Sequence, residues 1–412
     1  MLGVLRNLVT RTYGGLPATT WLICLAAFVN RAGSMVLPFL SLYLGKRFGM
    51  NVEDAGYLVA LYGVGSIFGN IVGGWLCDRL GPVRVQLVTL FGAALWMLLM
   101  TQFATVWMLG VGIFVLGLIN DSFRPGNMAA VLGSVPPELG ATALTLNRVA
   151  VNAGWAIGPT VGGQLAEIDF RWLFVADGGT CALAGVVLWL FVPRMLGRDH
   201  GPERTGPAPV DAPAGAHAAT SAWRDGRFLL LIGVTVTTFL AFMQYFSTET
   251  RYLAAVFGFD EGEIGWLLAI NPALIVLVEM PLVRALSGRA RLPIVALGTL
   301  LIALSFPLLV PVGWGLGGVL AHLLLLTVGE MLSFSLLSSF VSDRAPRRLR
   351  GQYLGLHGAS FSFAFVLAPA LGGMVYERLG ADALWYGCTA LSALAAVGYW
   401  LLHRAYRRPR AG

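Results

Sequence analysis

Apolar residues in this chain gather into long runs, and runs of 18 or more recur from one end to the other. Each predicts a helix long enough to cross the hydrocarbon core of a bilayer. Twelve such spans are expected, over residues 18–45, 54–77, 84–102, 106–130, 142–166, 172–193, 227–256, 263–286, 292–312, 314–341, 351–376 and 382–404. Only PVGWG, residues 311–315, separates the ninth from the tenth. Between the sixth and the seventh lies RDHGPERTGPAPVDAPAGAHAATSA, rich in Pro, Ala, Gly and charge and without apolar periodicity. It reads as a flexible linker. The expected organisation is a segment 1–17, a six-helix half 18–193, a linker 194–226, a second six-helix half 227–404 and a tail 405–412.

Composition agrees with the pattern. Of 412 residues, 57% are hydrophobic and only 12% charged, far less charge than a soluble chain carries. The formal charge of +7 does not point to nucleic acid, because the basic residues recur in short clusters between the apolar runs. With both termini in the cytoplasm, 20 Lys and Arg residues fall on the cytoplasmic side, five on the other, and three inside spans. That bias orients the chain. Residues 2–13, with Arg6 and Arg11, are expected to form a short helix on the membrane surface ahead of the first span. Cys24, Cys77, Cys181 and Cys388 lie far apart in or beside apolar runs, so neither a disulfide framework nor a metal site is expected.

The halves repeat. NAGWAIGPTVGGQLA (152–166) and SFAFVLAPALGGMVY (362–376) share Pro-x-x-Gly-Gly at a constant offset of 210 residues, in the fifth and eleventh spans. Two six-helix halves with weak internal similarity are what a parallel-repeat transporter predicts.

The chain resembles the major facilitator superfamily over essentially its whole length. The most specific motif is GGWLCDRLGPVR (73–84), where Gly74, Asp78, Arg79 and Gly81 match the family loop between spans two and three. Pro82 and Val83 replace the usual basic pair, and Arg84 is an imperfect substitute. The resemblance implies that this loop latches the halves together on the cytoplasmic side. A carboxylate at a helix end accepts hydrogen bonds from neighbouring helix N-termini and pairs with arginine. A second motif, Gly154, Gly158, Pro159, Gly162 and Gly163 in span five, resembles the one associated with the antiporter branch, with Thr145 at the place of an earlier glycine. Glycines so spaced flatten a helix face for close packing. TVGEMLSFSLLSSFVSDRAP (327–346), GQYLGLHGAS (351–360) and NRAGSMVLPFLSLYL (30–44) look like bacterial multidrug-efflux members.

Charge inside the spans marks the candidate site. A charged group at the middle of a span costs about 2.5–3.5 kcal/mol, so it persists where it meets a partner or a water-filled cavity. Asp121 and Arg124 share one face of span four, about 5 Å and 9 Å from its midpoint at 1.5 Å per residue. Arg148 lies at a similar depth in span five and is a second candidate partner for Asp121; like the latch loop, it is a candidate gating residue. Arg31 is central in span one and Glu330 in span ten. The resemblance implies that spans one, four, seven and ten line a central cavity, and so that Arg31, Asp121, Arg124 and Glu330 look into it. Glu330 has no basic residue within a turn on its own helix. It is therefore the first candidate proton carrier, ahead of Glu279 and Asp121. Glu249, Arg251, His322 and His357 are also intramembrane, the two histidines being expected to be satisfied polar residues of the bundle. Asn30, Phe242 and Tyr245 join Arg31, Arg124 and Glu330 as candidate substrate contacts, with Tyr62, Phe68, Phe239, Phe246, Phe334, Phe361, Phe363 and Phe365 on spans that reach the cavity. Apolar walls with a few placed charges suit an amphiphilic organic molecule.

The expected function is proton-coupled export of such compounds across the cytoplasmic (inner) membrane by a monomer without cofactors. The alternative is import of a small anionic or zwitterionic solute such as a peptide, held by Arg31. An enzyme is not expected, since the chain shows no nucleophile–base pairing, no metal-ligand cluster and no phosphate-binding loop.

Overall fold

The computed structural model describes residues 15–196, 221–286, 288–345 and 349–407. The surface helix expected over 2–13 and most of the linker 194–226 lie outside the described residues. The helices are α1 (Ala18–Ala32), α2 (Val36–Phe48), α3 (Val52–Leu80), α4 (Pro82–Met100), α5 (Val106–Gly133), α6 (Gly140–Ile168) and α7 (Arg171–Leu196) in the first half. The second half holds α8 (Gly226–Phe242), α9 (Thr248–Tyr252), α10 (Glu261–Ala285), α11 (Arg291–Ser305), α12 (Gly315–Arg344), α13 (Arg350–Leu379) and α14 (Ala381–Arg407). Among the described residues there is no strand. With each broken span counted once, eleven stretches are long and apolar enough to cross a membrane. The twelfth long helix, α6, is more polar because Asn147, Arg148 and Asn152 interrupt its apolar run.

Local chemistry sets the boundaries. Asn51 caps α3, its Oδ1 accepting from the Asp54 amide at 2.7 Å, and Glu53 and Asp54 in the first turn complement the helix dipole. Between α3 and α4 the chain reverses at Gly81, whose φ of +85° suits glycine, and Pro82 opens α4. Two spans are broken rather than continuous. Span one breaks at Gly33–Met35, between α1 and α2. Span seven passes through a 3₁₀ turn (Met243–Phe246), the short α9 and a π segment (Leu253–Phe257). The ninth and tenth spans part through 3₁₀ turns at Phe306–Leu309 and Val312–Trp314, with Gly315 at φ +50°.

Glycine lets the backbones approach. A Cβ on Gly65, Gly69 or Gly73 of α3 would fall 2.0, 2.4 and 2.5 Å from carbonyl oxygens of α5. The repeated Pro-x-x-Gly-Gly does the same job twice, between the halves. In α6, the Pro159 carbonyl faces Gly265 of α10, and Gly163 lies against the Glu261 carbonyl. In α13, the Pro369 carbonyl faces Gly56 of α3, and Gly373 lies against the Val52 carbonyl. The repeat therefore builds two equivalent helix crossings, both at the end of the bundle away from most of the arginines.

Polar contacts seal that same end. Arg378 donates to Glu53 from Nε at 3.1 Å, Glu377 accepts from the Val52 amide at 2.7 Å, and Lys46 pairs with Glu261. Arg251 donates to the carbonyls of Ser41 at 3.0 Å and Met50 at 3.1 Å. Each of these links one half to the other, so this face is closed.

Candidate functional site

Between the halves lies a cavity of about 570 Å³. Its charged lining comprises Arg31, Asp121, Arg124 and Arg148 from the first half and Glu330 from the second, with His357 beside them. Its apolar wall includes Tyr62, Trp155, Phe239, Phe242, Phe246 and Phe334. Around Phe242 the rings meet edge to face, with centroids 4.8 Å from Phe334 and 6.0 Å from Phe246. Arg124 and Arg148, toward the arginine-rich end, have side chains 53% exposed. The cavity is thus shut at one face and wet toward the other.

Asp121 is 8% exposed and lies 3.9 Å from Arg124, on the shared helix face that the three-residue spacing predicts. Glu330 accepts from Asn271 Nδ2 at 2.7 Å and forms no ion pair with a described residue. Arg31 sits in the last turn of α1, where a cation complements the helix dipole, and likewise pairs with no described acid. The cavity wall therefore offers one carboxylate and one guanidinium not paired with each other or with another described charge.

Other expected positions differ. Arg148 does not pair with Asp121. It donates to Glu279 of α10 and, at 2.6 Å, to Ser335 of α12, so it ties the halves together beside the cavity. Glu279 is engaged there, accepts also from Ser335, and is not part of the lining. Tyr245 is 1% exposed and turned away, its hydroxyl donating to the Leu268 carbonyl at 2.8 Å. Asn30 points at α7, donating to Cys181 Sγ at 3.4 Å. Phe68 and Phe363, 50% and 51% exposed, lie outside the cavity on the bundle surface. In the loop motif, Asp78, Arg79 and Arg84 are all exposed. Arg79 stacks over Trp75 at 4.1 Å, Gly74 has nothing within 4 Å of its Cβ position, and Asp78 pairs with no described residue. The cross-half latch is not made in this conformation, as a face open at that end requires.

The α6 motif presses on the break in span one. A Cβ on Gly154 would meet Arg31 Cβ and the Phe28 carbonyl at 2.7 Å, one on Gly158 the carbonyls of Arg31 and Ser34 at 3.2 Å, and one on Gly162 Met35 Cβ at 3.0 Å. These glycines hold α1 and its Arg31 against the cavity wall.

Two side chains missed by the sequence reading support the site. Asn271 precedes Pro272 in α10 and binds Glu330. Asp177 of α7, 4% exposed, accepts from the amides of Met35 at 3.3 Å and Val36 at 3.5 Å, capping α2 where span one resumes. Both are polar residues inside apolar spans, and that was the available signal. Loss of such a cap costs about 0.5–2 kcal/mol. Asp177→Ala is accordingly expected to lower the unfolding temperature in detergent more than Asp177→Asn, which keeps an acceptor. Equal effects of the two variants in a thermal-shift assay would refute the cap.

Comparison with known proteins fits this architecture. The family model described as Major Facilitator Superfamily matches residues 23–359 and 252–412. The chain is 26% identical to the uncharacterized MFS-type transporter YqjV of Bacillus subtilis, over 94% of each chain. It is 24% identical to the multidrug resistance protein MdtH of Cronobacter sakazakii (83% of this chain, 82% of the relative). It is 23% identical to a Na(+), Li(+), K(+)/H(+) antiporter of Planococcus maritimus (83% and 85%). Among solved structures, a POT family transporter in complex with 5-aminolevulinic acid superposes with a TM-score of 0.80 at 15% identity, over 96% of this chain and 98% of that one. A mutant of the nucleoside transporter NupG gives 0.73 at 12% identity, over 94% and 98%. At those identities the likeness concerns the fold. With the family match running from residue 23 to the last residue, the chain belongs to the major facilitator superfamily: it is a multi-pass membrane transporter of small molecules, not an enzyme.

Proposed function

We propose that the protein exports amphiphilic organic compounds across the cytoplasmic membrane in exchange for protons, acting as a monomer by alternating access. The arginine bias supports cytoplasmic termini and, with them, a closed end at the outer face. One observation carries the reading: unpaired Arg31 and Glu330, from opposite halves, share a single aromatic-walled cavity. Aromatic rings bind the apolar body of a ligand and a few polar groups fix its orientation. A carboxylate without a cationic partner in a poorly hydrated wall is the group suited to carry a proton. The names of the multidrug and antiporter relatives support the same reading.

In this scheme Asp78 and Arg79 make their latch when the cytoplasmic side closes, and the outer contacts of Glu53, Arg251, Glu261 and Glu377 then part. The test uses everted vesicles with an imposed proton gradient. Addition of a lipophilic dye from a chemically broad panel should discharge the gradient, and no proton movement with any member would sink the antiport. Import of a zwitterionic solute is the second reading, favoured by the same two unpaired charges, which suit a carboxylate and an amine. Whole-cell accumulation of a labelled peptide that falls on replacing Arg31 would support it instead.

A further inference from the structure

Outside the cavity, in the seam between spans seven and ten, lies a second pair of ionisable groups. Glu249 of α9 and His322 of α12 are both 0% exposed, with Glu249 Oε2 3.3 Å from His322 Nε2. His322 Nδ1 is 3.0 Å from the Ser305 carbonyl. A carbonyl only accepts, so Nδ1 carries a hydrogen. The contact between Nε2 and Oε2 then needs one further proton, on either atom. Without it, a carboxylate oxygen faces an imidazole lone pair in a sealed apolar seam. Glu249 Oε1 already lacks a hydrogen-bond partner among the described residues. Tyr245 on the same span and Cys388 of α14 are the other titratable groups that feel the Glu249 charge, and neither is a cation. Arg251, two residues on, is turned away to Ser41 and Met50.

That arginine connects the pair to the gate. Glu249 and Arg251 share the five-residue α9, which is flanked by the 3₁₀ turn and the π segment, irregularities that often mark hinges. Arg251 is one of the struts closing the outer face. We propose that Glu249 and His322 form a second proton-binding site, separate from the central cavity, which holds one proton while the outer face is shut and releases it to the outer water as that face opens. Loss of the proton repels the two side chains, shifts α9 and withdraws Arg251 from the first half. The site sets the pH at which the outer gate opens, and the transported proton remains with the cavity. The inference rests on alternating access but not on which cavity carboxylate carries the coupled proton.

The test is a spin-label distance across the outer seam in nanodiscs. Labels go on Asp54→Cys and Leu379→Cys, both exposed, in the full chain with its four native cysteines replaced by alanine. Raising the pH from 6 to 8 should increase the ratio of long to short distances, by up to about tenfold per pH unit, the limit for one linked proton. Glu249→Gln, whose amide donates to Nε2 at every pH, should abolish that response and stay closed. Glu330→Gln, which removes the cavity's own titration, should alter the response without abolishing it. Should Glu249→Gln not fold, His322→Gln serves: its amide donates to an ionised Glu249, so the contact no longer needs the shared proton. A response that survives in these seam variants, or that vanishes only in Glu330→Gln, overturns the proposal. An unchanged distance distribution in the parent chain overturns it as well.

Discussion

Glu330→Gln is expected to bind substrate nearly as well as the parent protein and to lose uphill transport altogether. The two side chains have the same shape, and a glutamine Oε1 still accepts the hydrogen bond that Asn271 Nδ2 gives at 2.7 Å. What disappears is the ability to cycle between a neutral and a charged form. Glu330 is singled out by its surroundings: Asp121 already has Arg124, and Glu279 has Arg148, whereas Glu330 faces the cavity with only a neutral amide as partner. A carboxylate near the middle of a span costs about 2.5–3.5 kcal/mol more than an apolar residue, a cost that the proposed proton-carrying role would account for. The check is a pair of measurements on purified protein: thermal-shift binding at two pH values, and dye transport into proteoliposomes with and without a proton gradient. Full gradient-driven transport by the variant would move the role to Glu279 or Asp121.

The second large effect concerns one methyl group. In Gly163→Ala the added carbon lands 2.2 Å from the Glu261 carbonyl oxygen and 3.1 Å from Gly262 Cα. Both are backbone atoms of α10, so no side chain can swing aside. Relief requires the outer ends of α6 and α10 to separate. Overpacking of this kind costs about 1–3 kcal/mol, enough to shift a two-state balance by about 5- to 150-fold. Gly163→Ala should therefore favour the outward-open state and slow transport to a similar degree. Gly373→Ala, at the equivalent crossing with α3, should act alike, because its Cβ would fall 2.5 Å from the Val52 carbonyl. Gly387→Ala in α14 is the control: nothing lies within 4 Å of that position, and neither the distances nor the rate should change. Outer-face spin-label distances read the shift. Short distances in Gly163→Ala equal to those of the parent would show that the crossing does not set the gate.

The halves, the spans and the central charges were legible because the membrane makes them so. Hydrocarbon selects long apolar runs, and an ionisable residue inside one has few tolerable places. That logic placed Arg31, Asp121 and Glu330 on one cavity and paired Asp121 with Arg124. It failed where a partner lies far away in sequence. Arg148 meets Glu279, 131 residues away, and Glu249 meets His322, 73 residues away, through helix crossings that no spacing rule reveals. Rotation about a helix axis was equally hidden. Tyr245, three residues beyond Phe242, turns into α10 once span seven tightens into its 3₁₀ turn. The breaks in spans one and seven left only weak marks, a glycine in the first and the polar stretch from Ser247 to Arg251 in the second. Asp177, the cap that the first break requires, was passed over although it stands within an apolar span.

Alternating access about this cavity is tested most directly by tying the closed face shut. Glu53 and Arg378 join the two halves at the outer seam, and cysteines in their places lie within reach of a short bifunctional thiol reagent. After cross-linking, reconstituted protein should still bind substrate from the cytoplasmic side, transport none, and regain its rate when a reducible cross-linker is cleaved. Undiminished transport through the cross-linked protein would contradict the account.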